Sequence, residues 1–271
     1  MDHSLSPQIQ NFLFNKFQLN GVYLAFSVPK EKLKEAIQGV RTFGFRGLNI
    51  TLPHKETILE YLDETDPEAS RIGAVNTVVH AEGHLIGYNT DVSGLLSVLK
   101  DHFGENFKGR KGVILGAGGS ARAVAYTLLK EGISSLTLFN RTPGRVARLM
   151  EDLTRIFPEA GIQERFLKKK ELTENLPETD LLINTLPEEG ILDNGWILSS
   201  LQKGSSSLCL YDLNYYPKVT SLVKEAKLLN FRSFGGLSML VAQAVESFSL
   251  WTGQKADWKE VMKTVAEGIR Q

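Results

Sequence analysis

The sequence around Lys55 predicts a position at which open α/β sheets bind their ligands, the alternative being a solvated surface lysine. Residues 48–52 alternate apolar and polar side chains, which predicts a half-buried strand. Pro53 cannot donate a hydrogen bond within a sheet, but it suits the first turn of the helix that the spacing of residues 55–62 predicts. The pattern therefore places Lys55 in a strand-to-helix turn, at the carboxyl end of the strand. A positioned ammonium group there can stabilise a developing negative charge and deliver a proton.

The segment "GAGGSA" could bind the pyrophosphate of a dinucleotide. It follows an apolar strand pattern, opens a helical pattern and matches the GxGxxG/A fingerprint. Gly116 permits the tight turn, Gly118 and Gly119 let a pyrophosphate approach the backbone, and Ala121 lets helix and strand pack closely. The predicted cofactor contacts are Gly116, Ala117, Gly118, Gly119, Ser120 and Ala121. A glycine-rich turn without a ligand is the alternative interpretation.

The residues after the next predicted strand indicate which dinucleotide is bound. An NAD-binding unit would carry Asp or Glu there, to bind the ribose 2′-hydroxyl. This chain instead has Asn140, Arg141 and Thr142, with Arg145 one helical turn later. A guanidinium group pairs with a 2′-phosphate, which a carboxylate would repel. The sequence therefore predicts NADP, the alternative being that the two arginines are solvated surface charges.

Polar side chains elsewhere in the first region could bind a substrate. Ser4 and Ser6 stand two residues apart just before a predicted helix, where hydroxyl and amide groups can bind an anion. Ser6 is also a plausible helix N-cap. Asn76 and Asp91 interrupt apolar strand sequence and need buried partners, although Asp91 could simply cap a helix. His54 and the other histidines have no second ligand at metal-binding spacing, and we predict no metal.

Composition restricts the class of protein and of partner. Lys plus Arg and Asp plus Glu both number 31 in 271 residues, so no charge excess attracts nucleic acid or an anionic membrane. The one cysteine, Cys209, cannot form an internal disulfide, and the N-terminal residues lack the pattern of a signal peptide. No apolar run is long enough to span a membrane. We expect a cytoplasmic protein with small-molecule partners.

Helical and strand patterns alternate along the chain, which predicts an α/β fold with mainly parallel sheets. Residues 21–28 are predicted as a strand, 30–43 as a helix and 74–91 as two strands joined through Ala81-Glu82-Gly83. Two amphipathic segments close the chain. We expect a discontinuous first domain, residues 1–95 plus 238–271, and a Rossmann-type domain over residues 96–237, with the C-terminal helices returning to the first domain.

Eight motifs together resemble the shikimate dehydrogenase family over nearly the whole chain. In chain order they are "HSLSP", "NITLPHK", "GAVNT", "YNTD", "GAGGSA", "NRT", "YDLNYYP" and "GGLSMLVAQA". The resemblance implies reduction of 3-dehydroshikimate to shikimate with NADPH, in the aromatic amino acid pathway. It implies an N-terminal substrate-binding domain and a Rossmann-type NADP-binding domain.

The same resemblance implies roles for individual residues. Lys55 and Asp91 would form the catalytic pair, and Gly236 would lie near the nicotinamide. Ser4 and Ser6, helped by Tyr215, would bind the substrate carboxylate. The residues implied to bind the ring hydroxyls are Thr51, Asn76, Asp91 and Gln243. Asn140, Arg141, Thr142 and Arg145 would lie at the adenosine phosphate.

Two departures from the family pattern are visible. Family members carry an apolar strand ending in a glycine-proline turn ahead of the serine motif, whereas Met1-Asp2 stands directly before it here. Without that strand, the neighbouring strands of the first sheet would be exposed. We therefore expect either that the sequence starts too late or that the stability and activity of this protein are altered. The segment "NTLPEEGIL" lacks the family's small-residue turn ending in Gly-Met. The contacts on the nicotinamide side of the cofactor are therefore expected to differ from those of the family.

Two other functions remain open. One is a quinate/shikimate dehydrogenase that uses NAD, which Arg141 and the presence of both serines disfavour. The other is a non-catalytic sensor of shikimate-type metabolites, which the presence of Lys55 and Asp91 disfavours. The sequence leaves the oligomeric state open between a monomer and a homodimer.

Overall fold

The computed structural model describes residues 4–268, and helices and strands alternate through most of that range. In chain order the α-helices are α1 (Ser6–Lys16), α2 (Leu33–Thr42), α3 (Pro67–Ile72), α4 (Thr90–Phe103), α5 (Gly119–Lys130), α6 (Pro143–Ile156), α7 (Lys169–Asn175), α8 (Glu188–Leu192), α9 (Trp196–Ser200), α10 (Ser221–Leu228), α11 (Leu237–Thr252) and α12 (Trp258–Gly268). The strands are β1 (Gly47–Asn49), β2 (Glu64–Thr65), β3 (Thr77–Ala81), β4 (His84–Tyr88), β5 (Lys111–Leu115), β6 (Ser135–Asn140), β7 (Gly161–Phe166), β8 (Leu181–Asn184), β9 (Cys209–Asp212) and β10 (Arg232–Gly235). Short 3₁₀ helices cover Lys30–Lys32, Thr57–Tyr61, Leu176–Glu178 and Leu201–Lys203.

The chain divides into two compact units. The first contains the residues up to Val98 and those from Ser238 onward, and the second is the continuous segment Leu99–Leu237. None of the helices in the described part of the chain has both the length and the apolar character needed to cross a membrane.

The sheet of the first unit has four strands in the order β1-β3-β4-β2. β3 pairs antiparallel with both β1 and β4, while β2 pairs parallel with β4. The predicted hairpin is confirmed, since Ala81 pairs with His84 and the two turn residues, Glu82 and Gly83, both have positive φ. The expectation of mainly parallel pairing is wrong for this sheet, since two of its three pairings are antiparallel. The two-residue turn between β3 and β4 can join only antiparallel strands.

Residues 21–28 do not form the predicted strand. Among residues 4–268, no backbone hydrogen bond joins this segment to another strand. The Asn11 side chain instead bonds the Tyr23 backbone, accepting from its N–H at 2.7 Å and donating to its carbonyl at 3.0 Å. Val22, Leu24 and Phe26 are exposed. Alternation of apolar residues indicates a strand only where a neighbouring strand is present to pair with it.

Two local predictions near the first-unit site are also wrong. The helix expected to begin at Pro53 is a turn followed by the 3₁₀ helix Thr57–Tyr61, in which Ile58 is fully buried. Ser6 is the first residue of α1 rather than its cap, because Leu5 occupies the N-cap position and no side chain caps the helix.

The C-terminal helices complete the first unit, as the sequence predicts. Gln10 in α1 donates from Nε2 to the Ala244 carbonyl of α11 at 3.0 Å. Trp251, at the other end of α11, donates from Nε1 to the Val78 carbonyl in β3 at 2.9 Å. Ala244, Phe248 and Trp251 are buried, as expected for the inner face of an amphipathic helix.

The second unit is a doubly wound sheet of six parallel strands in the order β10-β9-β8-β5-β6-β7. Read from the other edge, this is the strand order of the Rossmann fold. β8 and β9 are buried along their whole length, as parallel strands covered by helices on both faces should be. The sequence pattern does not predict β7 or β10, because both are edge strands with largely exposed or half-buried residues.

The register of this sheet aligns the residues that precede its ligand-binding edge. Phe139, Leu115, Asn184, Asp212 and Gly235 pair in one row across five strands. Four of them, Leu115, Asn184, Asp212 and Gly235, are the last residues of their strands, so the residue after each begins a loop at the carboxyl edge, where open α/β sheets bind ligands.

Candidate active site

Lys55 and Asp91 form a buried ion pair in the first unit. The Lys55 ammonium donates to Asp91 Oδ2 at 2.6 Å, and the two side chains are only 11% and 6% exposed. The loop that carries Lys55 is fixed to the neighbouring segment because the Lys55 carbonyl accepts from the Val75 N–H at 2.8 Å. Asp91 lies in the first turn of α4. A turn and a helix start thus bring together two residues that are far apart in the sequence.

Asn76 holds the second oxygen of the Asp91 carboxylate. Its Nδ2 lies 2.9 Å from Asp91 Oδ1 and 3.3 Å from Gln243 Oε1. Its Oδ1 accepts from the Thr90 N–H at 2.8 Å, which fixes the first turn of α4. Asn76 is almost fully buried, so these bonds satisfy the polar groups that its position removes from water.

A second set of polar residues, all buried except the half-buried Asn49, lies next to Asn76. Thr77 Oγ1 is 2.8 Å from Ser247 Oγ and 3.1 Å from Thr90 Oγ1. Asn49 Nδ2 donates to both Thr77 Oγ1 and Ser247 Oγ, at 3.1 and 3.0 Å. Such a network restricts the positions that its members can take, because each lost bond would leave a buried polar group unpaired.

Local sequence patterns do not identify Asn49, Thr77, Thr90 or Ser247 as site residues. Ser247 could have been found from its spacing, since it follows the predicted residue Gln243 by one helical turn and donates to the Gln243 carbonyl at 2.9 Å. The partners of Asn49 and Thr77 depend on the pairing of β1 with β3, which local sequence does not specify.

Of the other predicted substrate residues of the first unit, Ser4, Ser6 and Thr51 lie at more accessible positions, whereas Gln243 is buried. Ser4 and Ser6 flank the start of α1 and are half-buried, and no hydrogen bond to either hydroxyl is found among residues 4–268. Thr51 is exposed, and its carbonyl accepts from the His54 N–H at 2.9 Å. Gln243 has its Nε2 bonded to the Leu240 carbonyl at 2.7 Å, so its Oε1 faces Asn76.

His54 has a structural contact. Its Nε2 lies 2.8 Å from the Val28 carbonyl, which attaches residues 21–28 to the Lys55 loop. Among residues 4–268, no group of three or more His, Cys, Asp or Glu side chains is arranged to hold a metal ion.

In the second unit, the glycine turn has the geometry of a dinucleotide cradle. Gly116 has φ +114°, and a Cβ there would lie 2.2 Å from Thr185 Oγ1, so only glycine fits. Gly118 is the N-cap of α5, and a Cβ added to it would meet no atom within 4 Å. That open space and the backbone N–H groups of the first turn of α5 fit a pyrophosphate. Ala121 is fully buried against the sheet, as its position in the fingerprint predicts.

Asn140, Arg141, Thr142 and Arg145 follow the adjacent strand. Asn140 ends β6 and donates from Nδ2 to the Thr142 carbonyl at 3.1 Å, which shapes the turn into α6. Arg141 and Arg145 are exposed, and neither guanidinium group makes an ion pair within residues 4–268. Two unpaired guanidinium groups beside this turn fit a 2′-phosphate, so the residues present fit NADP.

Gly236 and Tyr215 lie on the loops at the other side of the sheet. A Cβ on Gly236 would lie only 2.0 Å from the Leu213 carbonyl oxygen, so this position also requires glycine. Tyr215 is half-buried, and burial raises the pKa of its phenol above the usual 10.0. Its hydroxyl therefore stays protonated and can donate a hydrogen bond at neutral pH. The loop after β8, where the chain departs from the family pattern, leads directly into α8.

Family models match three successive segments of the chain. The model described as "Shikimate dehydrogenase substrate binding domain" matches residues 1–78. "Shikimate / quinate 5-dehydrogenase" matches residues 97–233, and "Shikimate 5'-dehydrogenase C-terminal domain" matches residues 236–267.

Curated relatives match over nearly their full lengths. "Shikimate dehydrogenase (NADP(+))" of Caldanaerobacter subterraneus subsp. tengcongensis is 41% identical, with 94% of this chain and 89% of the relative covered. The protein of the same name from Methanopyrus kandleri is 39% identical, with 100% and 93% covered.

Solved structures share the fold. A crystal structure of shikimate dehydrogenase in complex with NADP+ matches with a TM-score of 0.85 and 35% identity, over 99% of this chain and 92% of that chain. Quinate dehydrogenase from Corynebacterium glutamicum in complex with NAD also gives a TM-score of 0.85, at 28% identity over 98% and 95% of the two chains. With family models across the chain and relatives near 40% identity, this protein is a member of the shikimate dehydrogenase family.

Proposed function

We propose that this protein catalyses the reversible, NADPH-dependent reduction of 3-dehydroshikimate to shikimate in aromatic amino acid biosynthesis. The observation that carries the proposal is the buried pair of Lys55 Nζ and Asp91 Oδ2, 2.6 Å apart. A family member that had become only a sensor would not need this pair. The names of the relatives near 40% identity support both the reaction and the cofactor.

Lys55 supplies the proton for the reduction. NADPH provides a hydride, and its addition to a ketone leaves negative charge on the carbonyl oxygen. A positioned ammonium group stabilises that charge and transfers a proton to the oxygen. In the direction of alcohol oxidation, the same nitrogen must accept the proton in its neutral form, or another group must accept it.

Asp91 orients the lysine and the reacting hydroxyl. Its Oδ2 accepts from Lys55, while its Oδ1 is held by Asn76, so the carboxylate cannot rotate without breaking a buried hydrogen bond. This fixed carboxylate keeps the ammonium group in one place, and positioning of this kind accounts for a large part of enzymatic rate enhancement.

The remaining substrate contacts follow from the polar groups available. We assign the substrate carboxylate to the hydroxyls of Ser4 and Ser6, with Tyr215 as a third donor. Thr51, Asn76, Asp91 and Gln243 bind the ring hydroxyls. The protonated state of Tyr215 supports its role as a donor to an anion.

The first unit is then the substrate-binding and catalytic domain, and the second binds NADP. The glycine turn receives the pyrophosphate, Gly236 lies near the nicotinamide, and Asn140 to Thr142 with Arg145 bind the adenosine 2′-phosphate. The chain's single cysteine is free and buried, in keeping with a reducing cytoplasm.

The direct test is NADPH oxidation with 3-dehydroshikimate, measured by the loss of absorbance of the reduced nicotinamide. NADH is the competing cofactor and 3-dehydroquinate is the competing substrate, and all four combinations of cofactor and substrate are assayed. Faster turnover with 3-dehydroshikimate and NADPH than with the other combinations supports the proposal. Preference for NADH and 3-dehydroquinate would establish the quinate alternative, and shikimate binding without any turnover would establish the sensor.

A further inference from the structure

Asp212 is a fully buried carboxylate to which the proposed mechanism gives no role. It ends β9, in the row of residues that precedes the ligand-binding edge of the second unit. A buried carboxylate costs free energy unless several donors bond to it, so such a group calls for an explanation.

Four donors surround the Asp212 carboxylate. Thr220 donates its hydroxyl to Oδ2 at 2.6 Å. Asn184 donates from Nδ2 to Oδ1 at 2.9 Å, and Asn214 donates to the same oxygen from its backbone N–H at 3.1 Å and from Nδ2 at 2.9 Å. Because these contacts are hydrogen-bond donors, the arrangement is suited to the ionised carboxylate.

The two asparagines that bind Asp212 also bind the loop after β8. Each side-chain amide uses one hydrogen for Asp212 and the other for the Leu186 carbonyl. Asn184 Nδ2 and Asn214 Nδ2 donate to this carbonyl at 2.9 and 2.8 Å. Asn184 Oδ1 also accepts from the Leu186 N–H at 3.0 Å. Both hydrogens of both amides are therefore used, and Leu186 is held at its two backbone groups.

Asn214 extends the same anchoring to the loop after β10. Its carbonyl accepts from the Gly236 N–H at 2.9 Å, while the Leu213 carbonyl lies in close contact with Gly236. One carboxylate thus ties together the loops that follow three neighbouring strands, β8, β9 and β10. The first of these loops also touches the glycine turn, because Thr185 donates from Oγ1 to the Leu115 carbonyl at 2.7 Å.

We propose that Asp212 is a positioning residue that fixes these three loops for hydride transfer, holding Gly236 at the nicotinamide and Tyr215 at the substrate. The proposal rests on the proposed function for the identity of the two ligands. Asp212 touches neither ligand and acts through Asn184, Asn214 and Gly236. Preorganised loops matter because a displacement of about 1 Å at a reacting centre can cost on the order of 10² in rate.

The test compares Asp212→Asn with Asp180→Asn. Asp180 is a matched control, because its carboxylate accepts from the Lys111 N–H at the opposite, amino end of the same sheet. In Asp212→Asn, the side-chain NH₂ group replaces one carboxylate oxygen and faces Asn184, Asn214 or Thr220, which all donate to Asp212 in the wild type. We expect Asp212→Asn to lower kcat about 10-fold or more, because the loops lose their productive positions. NADP+ affinity should change less than about threefold, since the phosphate contacts lie elsewhere.

Two further readouts separate positioning from general destabilisation. The isotope effect with NADPH deuterated at the transferred hydrogen should rise in Asp212→Asn, because hydride transfer becomes slower relative to product release. Hydrogen exchange should accelerate at the amides of residues 185–186 and 213–216, and remain as in the wild type elsewhere in the sheet. Unchanged kcat and unchanged exchange in these loops would overturn the proposal.

A second pair of variants covers the case in which Asp212→Asn does not fold. Thr220→Val removes one donor to the carboxylate, whereas Thr220→Ser keeps the hydroxyl and should behave as the wild type. Equal kcat and loop exchange in these two variants would also overturn the proposal. If the wild type shows no turnover with 3-dehydroshikimate, the proposed function fails, while the exchange measurement still decides whether Asp212 fixes the loops.

Discussion

Lys55 and Asp91 show how much of the chemistry depends on individual side-chain contacts. The ammonium group has an acceptor at 2.6 Å, and the carboxylate has a separate donor on each oxygen. Because both side chains are nearly buried, their separation is set by the surrounding protein rather than by solvent.

Replacing Lys55 with alanine removes the proton donor but keeps the residues that bind the substrate ring. We expect Lys55→Ala to lower kcat by about 10² or more, the usual contribution of a positioned acid or base. The affinity for shikimate should change much less. Steady-state kinetics and calorimetric titration with shikimate measure the two quantities.

Lys100→Ala is the control for this variant. Lys100 pairs with Glu131 at 3.4 Å and is more exposed, so removing it should leave kcat close to that of the wild type. A Lys55→Ala enzyme with wild-type turnover would remove Lys55 from the catalytic assignment.

The thiol of Cys209 should be unreactive in the native protein. Burial raises its pKa to about 11, and its Sγ donates to the Arg232 carbonyl at 3.4 Å. At pH 8 the thiolate fraction is then on the order of a thousandth. We expect iodoacetamide to label Cys209 slowly in native protein and rapidly in urea, as read by mass spectrometry. Equal rates in both conditions would contradict the burial of this side chain.

At the level of elements, the turn after β6 should determine the choice of cofactor. Arg141 and Arg145 are exposed and unpaired within the described residues, so their charges are available to a phosphate. We expect Arg141→Ala and Arg145→Ala each to lower kcat/KM for NADPH about 10-fold or more, because a charge-assisted contact is lost. The value for NADH should hardly change.

Arg155→Ala is the matched control, since Arg155 lies in the last turn of the same helix, α6, and pairs with Glu151 at 3.3 Å. It should leave both cofactors unaffected. If the NADPH preference survived in the Arg141→Ala Arg145→Ala double variant, another group would have to bind the 2′-phosphate.

Elements with a strong local signal were predictable from the sequence. The glycine turn, the strands β5, β6, β8 and β9, and the hairpin at Glu82-Gly83 each combine a periodic pattern with characteristic turn residues. Residues 21–28 have an equally clear alternation and yet form no strand, because strand formation depends on a partner whose position the local pattern does not give.

The site was predictable to a similar extent. Asn76 and Asp91 stand out as polar residues in apolar sequence, and in the structure Asn76 binds Asp91, which in turn binds Lys55. The supporting residues Thr77, Ser247 and Asp212 did not stand out, because their contacts join β3 to α11 and β8 to β9. Contacts of this kind follow from tertiary packing rather than from local sequence patterns.

At the level of the whole molecule, the second unit is a continuous segment with its own core. Its six-stranded sheet and the buried residues from Val113 to Ala226 belong to one stretch of chain. We expect a fragment of residues 90–237, which keeps α4 complete, to unfold cooperatively and to melt at a higher temperature when NADP+ is added. Thermal unfolding with and without the nucleotide tests this, and a fragment without a transition would contradict it.

Stability should also depend on pH through Asp212. Burial raises the pKa of this carboxyl above its usual 3.8, and the side chains in contact with it, Asn184, Asn214 and Thr220, are neutral. Above pH 3.8 the native state therefore binds more protons than the unfolded state, so the free energy of unfolding falls as pH rises through the native pKa. Asp212→Asn lacks this term. The free energy of unfolding of this variant relative to the wild type should therefore increase as pH rises. Urea unfolding of both proteins across this pH range measures the difference. A difference that stays constant would mean that Asp212 titrates normally.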